Sequence, residues 1–333
     1  MKFLFKSSLF FLTLYVVWYF GYVHENREYY RLEDDYSPLS FLDKFNFFQD
    51  NDPTEGYVDY VSRTDALASG LIKVQNSSVY LGVDHSTEAR GRGRRSVRVE
   101  SKKSHNHGLF IADLYHMPAS ICGVWPAFWT FELNHPWPEL GELDIIEGIN
   151  SQSHNNIALH TRKGCSINNG GDFTGWVDSY DCHWEAPNQN PNAGCKIIVN
   201  ETGTYGDTFN RNGGGVYAVE WTSSAIQIWF FPRRNIPANV VSDRPTPMFW
   251  GLPIAKFTGP CELDSFIRNQ TLVFNITFCG GWAGRAWEAD PICSKKAKTC
   301  EEFVKKYPEE FANAFWGINS LKTFQWSTSI PGR

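Results

Sequence analysis

Apolar and polar residues alternate in short runs along most of the chain. Ser78-Val-Tyr-Leu-Gly-Val83, Ser96-Val-Arg-Val-Glu100, Val216-Tyr-Ala-Val-Glu-Trp221, Ala225-Ile-Gln-Ile-Trp-Phe230 and Leu272-Val-Phe-Asn-Ile-Thr-Phe278 follow this pattern. A period of two sends successive side chains to opposite faces of a strand. Turn residues separate the runs, among them Gly213-Gly-Gly215 and Pro245-Thr-Pro247. Many short strands punctuated in this way predict an all-β sandwich or barrel. One helix start stands out. Thr299-Cys-Glu-Glu302 has the capping-box pattern ahead of Phe303 and Val304, and Pro308 lies just beyond the expected end. No internal repeat or low-complexity linker follows residue 37, so residues 37–333 read as one domain.

The N-terminus breaks the alternation. Lys2 and Lys6 precede an apolar run from Leu9 to Val23. The run is long for the core of a secretory signal and short of the ~20 residues that span a bilayer. Counting from Phe3, with one Lys snorkelling, closes that gap. Residues 1–23 therefore read as a signal peptide or a type II membrane anchor, and residues 24–36 as a polar stalk. Both options put the rest of the chain in the secretory lumen, at the cell surface or outside the cell. Two further features agree. The eight cysteines, 122, 165, 182, 195, 261, 279, 293 and 300, are even in number and lack CxxC spacing. That favours disulfides over zinc, with 105 possible connectivities. Cys300 is expected to pair with Cys293 or Cys279. Sequons for glycosylation occur at Asn76, Asn200, Asn269 and Asn275.

Composition narrows the function. Aromatics make up 16% of the 333 residues and include 13 Trp. A buried indole must satisfy its N–H, so a core alone rarely needs so many. The surplus suggests flat platforms for stacking, which suit sugars and bases. A net charge of −5 argues against nucleic acid as a partner, because phosphate binding needs a basic surface. The short basic run Arg92-Gly-Arg-Arg95 reads as a solvated loop.

The residues richest in chemistry are Gly141-Glu-Leu-Asp-Ile-Ile-Glu-Gly-Ile-Asn150. As a plain strand, Glu142 and Asp144 share a face, but Glu147 falls on the other. Like charges on one strand face repel, and acids are depleted in strands. A β-bulge at Ile145-Ile146 adds one residue and returns Glu147 to the face of the other two acids. Two Glu leaning together across a concave strand, with Asp144 between them, suit retaining glycoside hydrolysis, whose carboxyls stand about 5–5.5 Å apart.

This strand resembles the active-site strand of glycoside hydrolase family 16, whose signature runs E-x-D-x-x-E. The resemblance is greatest to the fungal endo-1,3(4)-β-glucanase, or laminarinase, branch, and it extends from about residue 40 to residue 326. It is carried also by Asn51–Val58, Ser101–Asp113, Val124–Thr130, Leu159-His-Thr161, Phe278–Gly284 and Phe315–Lys322. It implies a jelly-roll β-sandwich of two curved antiparallel sheets with a concave open substrate cleft. It also implies Glu142 as nucleophile, Glu147 as general acid/base and Asp144 as their assisting acid. Gly281 departs from the pattern, because Asp is expected between Gly280 and Trp282. The departure bears on substrate preference, not on the reaction.

Around the acids, Trp137 sits in a His-Pro-Trp-Pro turn and is expected to line the cleft edge as a sugar platform. Trp125, Trp129 and Trp282 are further candidate sugar contacts. His160, on the strand expected beside the acids, is a candidate for holding the group near Glu147, and Asn150 is a weaker polar candidate. Arg98 and Glu100 share a strand face and are expected to form a cross-strand pair. The expected activity is endo-acting, retaining hydrolysis of β-1,3- or mixed β-1,3(4)-glucan by a monomer. It needs no metal or cofactor. Two rivals remain on the same fold: a cell-wall glucan transglycosylase, and a carbohydrate-binding protein without turnover. The intact acid trio argues against the second.

Overall fold

The computed structural model describes residues 29–327 except Asn76, so the leader and its options lie outside the described residues. The strands, in chain order, are β1 (Tyr29–Asp35), β2 (Phe45–Phe47), β3 (Val58–Tyr60), β4 (Ile72–Gln75), β5 (Ser78–Gly82) and β6 (Arg94–Ser96). Next come β7 (Arg98–His105), β8 (Gly108–His116), β9 (Val124–Phe131), β10 (Glu142–Glu147), β11 (Asn155–His160) and β12 (Trp176–Ser179). The last six are β13 (Cys195–Val199), β14 (Gly215–Trp221), β15 (Ile226–Pro232), β16 (Ala255–Phe257), β17 (Gln270–Phe278) and β18 (Phe315–Ser327). Short helices fill the connections: α1 (Pro38–Lys44), α2 (Arg63–Ala68), α3 (Gly206–Arg211), α4 (Leu263–Phe266) and α5 (Cys300–Lys306). None among the described residues is long and apolar enough to cross a membrane.

Two antiparallel eight-stranded sheets stack as a jelly roll. The cleft sheet runs β12-β13-β11-β10-β9-β17-β7-β2. The back sheet runs β16-β15-β14-β8-β18-β5-β4, with β1 added against β18. The core between them includes Phe110, Leu114 and Tyr217 from the back sheet and Phe128, Leu143, Ile157 and Phe274 from the cleft sheet. Phe128 and Phe274 stack at 4.2 Å on neighbouring strands. Each such ring contributes roughly 1.5–3 kcal/mol by burial. The inward face of β10 is thereby pinned, and its acids are left on the outward, concave side.

The alternating runs become β5, β14, β15 and β17, but two details differ. Ser96–Glu100 is two strands, because β6 pairs in parallel with β3 while β7 pairs with β17. β14 is buried on both faces rather than one. Val216 and Ala218 face a second apolar cluster with Trp229, Val240 and Trp250, so the loop after β15 covers the back sheet. The expected helix is α5, with Thr299 Oγ1 accepting from the Glu302 N–H at 3.2 Å. Glu302 does not complete the box; its carboxylate takes Lys306 one turn on at 2.7 Å.

Three expectations need correction. The proposed stalk is not one over residues 29–36: β1 pairs with β18 from Tyr29↔Ser327 to Asp35↔Lys322, and Tyr36 is buried. The basic run is not simply a solvated loop. Arg94 is fully buried, and its guanidinium donates to the carbonyls of Val304, Asp84 and Thr87. Asn275 is not an open glycosylation site. It is buried in β17, donating to the Tyr60 hydroxyl at 3.0 Å and accepting from Trp129 Nε1 at 2.8 Å. Asn200 and Asn269 are exposed, and Asn76 lies outside the described residues. All eight cysteines pair: Cys122–Cys293, Cys165–Cys261, Cys182–Cys195 and Cys279–Cys300. Of the two partners expected for Cys300, Cys279 is the one it takes.

Candidate active site

The site begins with a counting mismatch in β10. Asp144 stands opposite Trp129 of β9, yet Ile146 stands opposite Phe128, the very next residue. Ile145 is therefore the extra residue of a bulge. Leu143, Ile145 and Ile146 are buried against the core. Glu142, Asp144 and Glu147 are brought to the cleft face together.

A bulge leaves backbone groups without ladder partners, and here a side chain supplies them. Backbone pairing of β10 with β11 runs from Glu142↔His160 to Asp144↔Ala158. Beyond it, Asn155 Nδ2 donates to the Ile145 carbonyl at 2.9 Å. Its Oδ1 accepts from the Glu147 N–H, also at 2.9 Å. The Asn155 amide thus substitutes for a strand and fixes the backbone of the third acid.

Each glutamate has its own indole donor. Trp137 Nε1 donates to Glu142 Oε2 at 2.8 Å, and Trp125 Nε1 donates to Glu147 Oε1 at 2.7 Å. His160 Nε2 lies 3.1 Å from Asp144 Oδ2, poorly aligned for a hydrogen bond, and that oxygen has no other protein partner. Burial is the main force raising all three carboxyls above the ordinary range, and it alone lifts Asp144 to about 8. The Asp144 charge raises both glutamates further. Opposing it, His160 and the Trp137 indole favour the carboxylate of Glu142, while the Trp125 indole and the His160 and Lys196 charges favour that of Glu147. Three acids in one desolvated site cannot all ionise cheaply, so at neutral pH the trio holds protons. Glu142, Asp144 and His160 also bring ligand atoms within 4.8 Å of one another, in the manner of a cation site.

The remaining expected residues divide. Trp137 is 40% exposed at the Glu142 end, edge-on to Trp184 at 5.4 Å. Trp282 meets Trp125 edge-on at 5.6 Å, at the Glu147 end. Trp129 lies on the β9 wing of the cleft, tied to Asn275 and stacked with Phe131. Arg98 and Glu100 do pair, at 2.8 Å, but along one strand rather than across two. The Arg98 guanidinium is packed among Phe48, Trp129 and Phe131. Asn150 does not reach the cleft. It is buried, accepts from the Gly123 N–H and donates to the Ala283 carbonyl, so it braces the turn that carries Trp282. Gly281 leaves room for a larger residue, since an added Cβ would meet only the Thr54 carbonyl at 3.5 Å. Gly280, at φ +62, would collide with that same oxygen at 2.6 Å.

Trp184 escapes a reading of the sequence as a site residue, and Asn155, in sequence only a weak polar candidate like Asn150, proves to hold the bulge. Trp184 arrives on a loop closed by Cys182–Cys195, and the only sequence signal is that pair of flanking cysteines. Residues 45–324 match a family described as "XgeA-like, catalytic GH16 domain". The chain belongs to glycoside hydrolase family 16. This family 16 chain is 51% identical over 303 residues to the endo-1,3(4)-beta-glucanase of Arthroderma benhamiae, covering 90% of its own length and 66% of that protein. It is 40% identical over 304 residues to the endo-1,3(4)-beta-glucanase xgeA of Emericella nidulans, covering 89% of itself and 47% of that protein. The family 16 chain therefore spans only part of the length of these curated relatives. Among solved structures, it resembles an elongating family 16 beta-1,3-glucosyltransferase at 46% identity and a TM-score of 0.82, over 89% of this chain and 100% of that one. It also resembles laminarinase 16A from Phanerochaete chrysosporium, at 36% identity and a TM-score of 0.82. That match covers 89% of this chain and 99% of the laminarinase, which was solved with 6-O-glucosyl-laminaritriose in its donor and acceptor sites.

Proposed function

We propose that this chain is an endo-acting, retaining hydrolase of β-1,3- or mixed β-1,3(4)-glucans. The observation that carries the proposal is the bulge at Ile145, which aims Glu142, Asp144 and Glu147 into one cleft under two indole donors. The similarity to named endo-1,3(4)-beta-glucanases supports the substrate class. Roles follow the order of the family motif. Glu147 gives its proton to the glycosidic oxygen while the Glu142 carboxylate attacks the anomeric carbon. The leaving chain departs with that proton, and an ester joins the sugar to Glu142. Glu147 then takes a proton from water, the hydroxide attacks the same carbon, and the Glu142 carboxylate is released, so configuration is retained. Asp144 stands between the two glutamates, and its charge adds to the repulsion that keeps all three acids from ionising together.

A second outcome of the same intermediate is favoured by one observation, the 46% identity to an elongating beta-1,3-glucosyltransferase. A sugar hydroxyl in place of water would lengthen the chain. Four disulfides and two exposed sequons support export to the lumen or the outside. Incubation of the protein with laminari-oligosaccharides, followed by proton NMR and chromatography, tests the proposal. Shorter products with an initial β-anomer are expected. An initial α-anomer would refute retention, and products longer than the substrate would assign transglycosylation.

A further inference from the structure

We infer that Trp176 forms a distal sugar-binding subsite at the β12 edge of the cleft, an inference that rests on the glucan-hydrolase proposal. Trp176 opens β12, and Val177 after it is buried in the core, so the indole lies on the opposite, cleft-facing side. It is 47% exposed. A lone exposed aromatic needs no explanation by itself; its place in the sheet register gives one. Trp176 stands opposite Ile198 on β13, and Ile198 stands opposite Asn156 on β11. The neighbour of Asn156, Asn155, clasps the Glu147 backbone. The row Asn156, Ile198, Trp176 therefore starts one residue from the Glu147 clasp and crosses the sheet to the indole. The adjacent row runs Asp144, Ala158, Lys196, and there Lys196 Nζ holds Asp178 Oδ2 at 2.8 Å.

β12 is three strand spacings from β10, roughly 14 Å. A single sugar held at the acids cannot reach that far, whereas a bound polysaccharide crossing the strands can. The chemistry matches a β-linked glucan. A β-glucose ring has apolar C–H faces that fit an indole, and its equatorial hydroxyls point sideways to the Lys196 and Asp178 charges. The subsite would make the enzyme favour long chains over short ones.

The test is Trp176→Ala and Trp176→Phe in the intact protein, assayed on laminarin and on a ladder of laminari-oligosaccharides. For Trp176→Ala, kcat/KM on laminarin and long oligomers should fall roughly two- to tenfold, the size of one aromatic stacking contact. The shortest cleaved oligomers should keep the unaltered rate, Trp176→Phe should keep most of the activity, and the melting temperature should not change. Equal loss on short and long substrates, or no loss on long ones, would overturn the subsite. Native electrophoresis in gels containing laminarin gives a readout independent of turnover. Trp176→Ala should be retarded less than the unaltered protein, and equal retardation would also overturn the subsite. If the unaltered protein cleaves no glucan, the proposed function fails, while the gel still decides whether Trp176 binds one.

Discussion

At the scale of single residues, the cleft is an arrangement of three acids that share a burial penalty. If Glu142 is the nucleophile, Glu142→Ala should leave even substrates with activated leaving groups intact. Added azide should restore turnover with inverted product, because the small anion enters from the vacated side. Glu147→Ala should still release an activated leaving group and load Glu142, and azide should then give product of retained configuration. Product NMR distinguishes the two, and the opposite pattern would exchange the roles. Asp144 permits a separate test through stability. Burial raises its pKa in the folded protein from 3.8 to about 8. The folded state therefore binds this proton more tightly than the unfolded state, and stability drains away as pH rises between those values. Asp144→Asn removes that titration. Its melting temperature should gain on the unaltered protein as pH moves from 5 to 8, while glucan hydrolysis falls without change of stereochemistry. Parallel melting curves for the two proteins across that range would refute the shift.

Among the elements, β10 functions only because β11 repairs it. The bulge frees the Ile145 carbonyl and the Glu147 N–H, and one Asn155 amide takes both. Asn155→Ala should leave two buried backbone groups unpaired, at about 1–3 kcal/mol each. It should also loosen Glu147, and misplacement of a catalytic group by about 1 Å can cost on the order of 100-fold. Hydrolysis of laminarin, which needs the acid, should therefore fall further than release of an activated aryl leaving group, which does not. Equal losses on the two substrates would assign Asn155 to stability alone. The bulge itself was legible in the sequence, because three acids and a break of parity fall within six residues, Glu142 to Glu147. The Asn155 clasp was not, since nothing local marks a side chain as a substitute for a strand. β1 was missed for a related reason. Tyr29–Asp35 is polar because it is added at the end of a sheet, where charged residues are favoured, and its partner β18 lies at the far end of the chain. Trp176 and Trp184 were invisible as cleft residues because their direction depends on strand register and on a disulfide, which no short window of sequence contains.

For the whole molecule, the sandwich determines which surface can be modified, and the sequons test that. Asn200 follows β13 and Asn269 precedes β17, both exposed, so either can carry a glycan on the folded protein. Asn275 opens a matching sequon but lies within β17, with strands on both sides and both ends of its amide occupied. A glycan there would remove the donor to Tyr60 and drive bulk into the wall formed with Trp129. It would also unsettle the stack around Arg98. Glycans are added as a chain enters the lumen, before β17 is paired, so any molecule modified at Asn275 should fail to close its cleft sheet and be lost to quality control. Active secreted protein should therefore carry occupied Asn200 and Asn269 and bare Asn275. Enzymatic removal of glycans in heavy-oxygen water, followed by peptide mass spectrometry, reads each site separately. Asn275→Ser should then leave the glycan pattern unchanged yet reduce yield and thermal stability, because the Tyr60 and Trp129 bonds are lost together. A substantial glycan-bearing fraction at Asn275 in active enzyme would mean that β17 tolerates an opening toward solvent, and the rigid-wall account of Trp129 would have to be abandoned.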